Sequence, residues 1–284
     1  MAVLLLPLVL SNFQTELLAK FFVFALVGVS YDLIWGFAGI SNFGHAVFFG
    51  LGAYAFGIVS KYLQIPGVTY IALLAAIIVP TLLGIFLSVF LHHGKVAGAF
   101  FAVVTMCLCV VFESIAMAWT NVTGGMNGLY GFARPKLGIP GLWEFEVSGF
   151  KIPYYVIVVC LGLILFLLWR IMKHRNFGKV IAALNNDENR LEFLGVKAKT
   201  LKTVIFAVSC AIAGFAGALY VPVSTISPSI LGMGMSIQVL VWVAVGGRGT
   251  LWGPIIGAVL VCSMEQFLSG VLLDFWLLII GVFF

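Results

Sequence analysis

Charged side chains are unusually scarce in this sequence. Asp, Glu, Lys and Arg make up 9% of the 284 residues, against about 25% in an average soluble domain. Hydrophobic residues reach 63%, so the chain lacks the side chains that would build a charged shell around a soluble core. The composition excludes a soluble enzyme and a disordered chain, and it predicts a protein whose solvent is lipid.

The sequence also has few residues in patterns that would support a metal site, a disulfide or a catalytic site. The five cysteines lie inside apolar runs, with no CxxC pair and no neighbouring histidine cluster. No Ser-His-Asp set or paired carboxylates appear at a spacing that would support an active site. We therefore expect no catalytic residue, no metal site and no cofactor bound by this chain, and we treat the cysteines as apolar packing.

Long hydrophobic runs predict an all-α fold, a polytopic membrane helix bundle with about eight to ten membrane segments, some of them discontinuous. One membrane domain spans 1–284. The longer predicted helices are Leu17–Phe37, Ala46–Ser60, Val68–Leu91, Val96–Ala118, Pro153–Met172 and Lys202–Val221, and the shorter ones are Met235–Val245 and Pro254–Leu268. A final run from Leu272 reaches Phe284 without a flanking charge, so we expect the printed chain to stop inside a helix.

The positive charge is concentrated in one loop. Between Arg170 and Lys202 lie eight of the 15 basic residues and three acids, which accounts for the whole net charge of +5. No basic stretch is interleaved with aromatic residues, so nucleic acid is not an expected partner. The positive-inside rule places the loop 173–201 in the cytoplasm and the loop 120–152 on the extracytoplasmic side.

Glycine and polar residues interrupt two hydrophobic runs at membrane depth, at Trp35–His45 and at Gly246–Pro254. Irregular backbone is tolerated there only against protein or a water-filled cavity, and such breaks mark solute paths in transporters. Each break alone is equally compatible with a tight surface loop.

Ionisable residues at membrane depth are also candidates for a solute pathway, although Glu113 could equally form a structural pair. The solute-pathway candidates are Asp32, Ser41, Asn42, Gly44, His45, Glu113, Gly247, Arg248, Gly249 and Thr250.

An amphipathic helix is predicted inside the cytoplasmic loop. Val180, Leu184, Leu191 and Leu194 recur at helical spacings, and Gly195 suits a helix stop. Such a helix either lies on lipid headgroups or docks into a groove on another protein.

At these same residues the chain resembles a known family, the permease subunits of ATP-binding-cassette importers for branched-chain amino acids and, in a related branch, urea. The resemblance covers nearly the whole length. It rests on the segments Asp32–Gly36, Gly44–Tyr54, Thr123–Leu129, Phe193–Gly195, Ala213–Tyr220 and Val245–Leu251.

The resemblance implies a pore-forming, multi-pass subunit of the bacterial cytoplasmic (inner) membrane. It further implies a heterodimeric pore with a second permease subunit, two ATPase subunits that bind the ATP, and an extracytoplasmic solute-binding protein. The solute would be a branched-chain amino acid or a related small polar molecule such as urea or an amide. The residues that would couple to the ATPases are Lys179, Leu184, Asn185, Glu188, Asn189, Arg190, Leu194 and Gly195.

The main alternative is a stand-alone secondary transporter or channel that uses Asp32 or Glu113 as an intramembrane carboxylate. The docking helix argues against it, since a solitary carrier has no need of one. A membrane-embedded enzyme is a further alternative that no convergent set of acid, base or metal ligands supports.

Overall fold

The computed structural model describes residues 6–7, 10–63, 65–94, 98–132, 135–139, 143–147, 149, 151–173, 177–193 and 195–271. Nearly all of the regular structure in these ranges is helical, as predicted. The helices are α1 (Asn12–Asp32), α2 (His45–Tyr62), α3 (Val68–His93), α4 (Ala99–Ala118), α5 (Thr120–Thr123), α6 (Lys151–Lys173), α7 (Phe177–Asn186), α8 (Glu188–Phe193), α9 (Ala198–Tyr220), α10 (Met233–Gly246) and α11 (Gly253–Val271).

Several short elements join these helices. A π-helical segment, Leu33–Phe37, continues α1, and 3₁₀ turns occupy Gly125–Asn127 and Pro228–Leu231. Strands β1 (Lys136–Ile139) and β2 (Trp143–Glu146) pair antiparallel in the 120–152 loop. This ribbon was not predicted, because a short strand pair inside a loop leaves little hydrophobic periodicity to detect.

Five helices in the described residues are long and apolar enough to cross a membrane, and they correspond to α1 with its π-helical extension, α3, α4, α6 and α9. Two shorter apolar helices, α10 and α11, also lie in the described ranges, together with the 18-residue helix α2. The predicted bundle of membrane helices is thus confirmed, with α1 starting earlier than predicted, at Asn12. The expected final helix after Leu272 lies outside the described residues.

Helix α1 lies at the centre of the bundle. It packs against α11, α9, α6 and α10. In its most apolar stretch of 18 residues 78% of the residues are buried, whereas the corresponding share is 22% in α4 and in α6. Its first turn is closed by a capping box, in which Ser11 and Gln14 satisfy each other's backbone N–H groups. A helix that is apolar on all sides is expected in such a buried position.

Small residues set the spacing of α2, α3 and α9, which pack against one another. A Cβ at Gly52 would overlap the backbone of Gly214, and a Cβ at Gly217 would overlap the carbonyl oxygen of Phe49. Without a hydrophobic driving force between helices in lipid, such close backbone approach supplies the packing energy. We call Gly52, Gly214 and Gly217 the small-residue seam.

Candidate functional site

The first break begins where α1 changes from α-helical to π-helical geometry at Leu33. The helix ends after Phe37, and the chain has no regular structure until α2 begins at His45. Within this stretch the Ile40 N–H donates to the Ile34 carbonyl at 2.9 Å. π-Helical segments are rare and are frequently found at functional sites. The change frees the carbonyl groups of Trp35 and Gly36 for partners outside the helix.

The second break is a glycine-rich turn between α10 and α11. Gly247 and Gly249 have φ values of 106° and 76°, which only glycine adopts readily. The Thr250 hydroxyl donates to the Gly247 carbonyl at 2.8 Å and accepts the Gly253 N–H at 3.1 Å, so it holds the start of α11. The glycines are therefore required by the backbone path of the turn.

The two breaks are bonded directly to each other. Both carboxylate oxygens of Asp32 accept the Gly249 N–H, at 2.9 and 3.1 Å. Arg248 donates to the Trp35 carbonyl at 2.8 and 3.1 Å, and its guanidinium carbon lies 4.7 Å from the centre of the Trp35 ring. Hydrogen bonds to charged groups are the stronger class, so the contact holds the ends of α1 and α10 together.

A third segment joins this contact from the charged loop. The Asn185 side chain, near the end of α7, donates its amide N–H to the Gly36 carbonyl at 3.1 Å. Adjacent carbonyls of the π-helical segment thus receive one side chain from α7 and one from the second break. We call Asp32, Trp35, Gly36, Asn185, Arg248 and Gly249 the three-segment junction.

A buried polar group holds the start of α2 on the other side of the first break. The Ser30 hydroxyl donates to the Val27 carbonyl at 2.7 Å and lies 2.8 Å from His45 Nε2. Since its only hydrogen is committed to Val27, Ser30 accepts from His45, which places the ring proton on Nε2. Nδ1 then accepts from the Asn42 amide at 3.4 Å, while Asn42 Oδ1 accepts the Gly44 N–H at 2.9 Å.

Two hydroxyls from other helices accept two further N–H groups of this turn. Thr105 of α4 accepts the Phe43 N–H, and Ser236 of α10 accepts the Ala46 N–H, both at 3.1 Å. A Cβ at Gly44 would overlap the Thr105 carbonyl, which explains the glycine. The start of α2 is therefore fixed by α1, α4 and α10 together.

The other pathway candidates lie outside the junction. Ser41 is half-buried in the first break. Glu113 is half-buried on α4, with its carboxylate against Gly232, the residue that precedes α10. A carboxylate near the start of a helix meets free backbone N–H groups and the positive end of the helix dipole. This position is compatible with both roles predicted for Glu113, helix pairing and solute contact.

Two helices, rather than one, form the predicted docking segment. Helix α7 ends at Asn186 and α8 begins at Glu188, with the Leu191 N–H donating to the Asp187 carbonyl at 3.4 Å. Leu184 and Leu191 are buried in the core of the chain itself, so the apolar face is not free to enter a partner groove. Gly195, with a φ of 81°, terminates α8 as predicted.

The remaining coupling candidates are spread over this surface. Lys179 is exposed on α7, and Glu188 forms an ion pair with Lys202 of α9. Asn189 and Arg190 belong to α8, but their side chains, like Leu194, lie outside the described residues. Phe193 at the end of α8 is 89% exposed and was not predicted as a coupling residue, although its large apolar side chain beside Gly195 was a visible signal.

The sequence did not predict the groups that complete the three-segment junction and the polar contacts at the start of α2. Trp35 acts through its carbonyl, which no side-chain pattern reveals, and Ser30, Thr105 and Ser236 are common residues in apolar helices. Within the described residues no group of three or more His, Cys, Asp or Glu side chains could hold a metal ion.

Comparison with known proteins gives a consistent set of similarities. The family model described as the branched-chain amino acid transport system / permease component matches residues 14–284. The high-affinity branched-chain amino acid transport system permease protein LivM of Salmonella typhimurium is 26% identical over 279 residues, covering 92% of this chain and 64% of the relative.

Two further relatives show how broad the similarity is. The ribose import permease protein RbsC of Haemophilus influenzae is 25% identical over 251 residues, covering 86% of this chain and 73% of the relative. The probable branched-chain amino acid transport permease protein LivM of Methanocaldococcus jannaschii is 24% identical, covering 85% and 77% respectively. No solved structure gives a significant match.

Proposed function

Because the chain belongs to the branched-chain amino acid transport system / permease component family, we propose that it is the membrane permease subunit of an ATP-driven importer. The observation that carries the proposal is the Asn185–Gly36 hydrogen bond, which links the basic, predicted cytoplasmic loop to both helix breaks. A movement imposed on α7 is thereby applied to the backbone where the transmembrane helices are discontinuous.

The junction supplies the mechanism for coupling. A partner drives a two-state transporter only by binding its two states with different affinity. ATPase subunits that hold α7 and α8 differently with and without ATP would move Asn185 relative to Gly36. The π-helical segment would transmit this displacement to Arg248 and Gly249, and so to the ends of α10 and α11.

Branched-chain amino acids are the solutes that we propose. The names of the LivM relatives support this choice, and none of the relatives described above is named as a urea permease. The name of RbsC makes ribose the next candidate to test. The chain spans 64% of the length of the LivM relatives from two enterobacteria.

The partners follow from the same proposal. A second permease subunit would complete the pore, two ATPase subunits would bind α7 and α8 and hydrolyse ATP, and an extracytoplasmic binding protein would deliver the solute. The setting would be the bacterial cytoplasmic membrane. The chain itself would bind no ATP.

A stand-alone carrier that uses Asp32 fits the geometry less well. Both carboxylate oxygens of Asp32 accept the Gly249 N–H, so this group has a structural role at the junction. A proton-carrying carboxylate would have to give up these bonds in each cycle.

The coupling role is tested by Asn185→Asp, which keeps the side-chain shape and removes the amide donor. In vesicles containing the complete importer, we expect transport to fall by about tenfold while ATP hydrolysis continues. The control is Asn121→Asp, at an exposed asparagine of the 120–152 loop. Normal transport by Asn185→Asp would show that the junction does not couple the ATPases.

The class and the solute are tested by uptake of labelled leucine, ribose and urea, with and without ATP. ATP-dependent accumulation of leucine alone is the expected result. Flux without ATP or without the ATPase subunits would contradict the importer and support the carrier.

A further inference from the structure

A lysine lies within the most buried helix of the bundle. Lys20 is half-buried on α1, about 18 Å along the helix from Asp32 at 1.5 Å per residue. A charge at this depth is costly in lipid and is normally paired or directed into a polar path. Yet among the described residues Lys20 forms no ion pair; its ammonium contacts aromatic rings instead.

A carboxylate lies at the same level on the neighbouring helix. Glu265 is half-buried on α11, also about 18 Å along its helix from Gly253. Since α11 packs against α1 and starts beside the junction, the two charges lie at the same level of two neighbouring helices. Lys20 and Glu265 are close enough for their opposite charges to interact. Glu265 also accepts the Gln238 amide of α10 at 3.3 Å.

Aromatic rings border the cation. The ammonium of Lys20 lies 5.7 Å from the ring centre of Phe24 and 5.8 Å from that of Tyr220. These two rings stack on each other with centres 5.9 Å apart, and Phe24 also stacks on Trp242 at 4.9 Å. Phe24 is itself half-buried, so one apolar surface beside the charges is accessible.

The arrangement matches the chemistry of one ligand class. An α-amino acid zwitterion carries a carboxylate and an ammonium a few ångströms apart, together with a side chain. A separated lysine and glutamate can each receive one of these charges, and both would then be paired. Charges directed at a ligand also explain why Lys20 and Glu265 do not close into an ion pair of their own.

We propose that Lys20 and Glu265 bind the zwitterionic backbone of an α-amino acid as it crosses the membrane, with its apolar side chain against Phe24 and Tyr220. This proposal rests on the proposed function and gives that function a solute-binding site. Lys20 receives the carboxylate, and Glu265, oriented by Gln238, receives the ammonium. With the orientation that the loop charges predict, the site lies on the extracytoplasmic side of the junction, where the solute would enter.

The deciding variant is the double neutral change Lys20→Gln with Glu265→Gln. A purely structural pair predicts that removing both charges restores transport relative to either single change, because no uncompensated charge remains. A binding site predicts that the double variant assembles and hydrolyses ATP, while leucine uptake falls at least about tenfold, as expected from losing charge-assisted bonds. Binding of labelled leucine to the complex in nanodiscs, without the binding protein, should fall in parallel.

Two further variants keep the test decisive. The exchange Lys20→Glu with Glu265→Lys retains both charges but reverses the ligand relative to Phe24, so uptake should fall here as well. If the double neutral variant fails to assemble, this charge exchange tests the binding site in its place. Ser263→Ala, at an exposed position of α11, is the control.

Each outcome separates the two proposals. Normal leucine uptake by either paired variant overturns the binding site and leaves the importer standing. Failure of the unmodified complex to accumulate leucine overturns the proposed function, and with it the ligand class of this site.

Discussion

At the scale of single residues, Asp32 connects positions that lie 217 residues apart by accepting the Gly249 N–H. Glycine, charge and position within apolar runs were sufficient to predict Asp32, Arg248 and Gly249 as candidates. Their partners were not predictable, because a backbone carbonyl such as that of Trp35 leaves no mark in the sequence. Lys20 was visible as a charge inside a predicted helix and was overlooked.

Gly249 offers a prediction at this scale. The change Gly249→Ala should destabilise the protein by about 1–2 kcal/mol, because an L-residue is strained at its φ of 76°. An added Cβ would meet the Gly36 carbonyl oxygen at 3.6 Å, an ordinary contact, so strain and not collision is the cause. Thermal unfolding of the purified protein measures the effect.

The control for this change is Gly234→Ala near the start of α10. Its Cβ would enter open space, and alanine is favoured over glycine in a helix by up to about 1 kcal/mol. Its melting temperature should be unchanged or higher. Equal melting temperatures for the two variants would mean that the turn does not constrain Gly249.

At the scale of elements, hydrophobic periodicity located the apolar helices well, since lipid demands long apolar runs. It did not find the π-helical segment Leu33–Phe37, which is apolar in the same way as the helix it extends. It also joined α7 and α8, because Val180, Leu184 and Leu191 keep helical spacing across Asp187. Asp is a preferred N-cap residue and was the local signal for that boundary.

The small-residue seam gives a prediction for helix packing. The change Gly52→Ala should prevent α2 and α9 from reaching their observed separation, since its Cβ would overlap the Gly214 backbone. We expect a large loss of folded protein, measured by size-exclusion chromatography after detergent extraction. Gly162→Ala on α6, where a Cβ meets open space, should leave the yield unchanged. Similar yields for both variants would show that the seam tolerates separation.

At the scale of the whole molecule, composition alone indicated the class of protein, because 9% charged residues cannot cover a soluble domain. The positive charge of the loop 173–201 likewise predicted which side of the membrane that loop faces. The meeting of the two breaks was not predictable, since it depends on how α1, α10 and α11 pack. Each break considered separately was compatible with a simple surface loop.

The orientation predicts which loops a membrane-impermeant maleimide can reach. In a Cys107→Ser background, Tyr130→Cys should be labelled in intact cells and Lys179→Cys only after the membrane is opened. Both positions are exposed, and Cys107 is the exposed native cysteine among the described residues. Labelling of Lys179→Cys in intact cells would place the basic loop outside and contradict the positive-inside assignment.

The three-segment junction also makes one backbone amide a remote reporter. The Gly249 N–H is protected from deuterium exchange only while Asp32 accepts it, and Asp32 lies one helical turn from the Gly36 carbonyl held by Asn185. A partner that pulls on α7 should therefore change the exchange rate of a glycine 64 positions further along the chain. Mass spectrometry of the deuterium content of the peptide containing Gly249 would follow the coupling step without any attached probe or substitution in the protein.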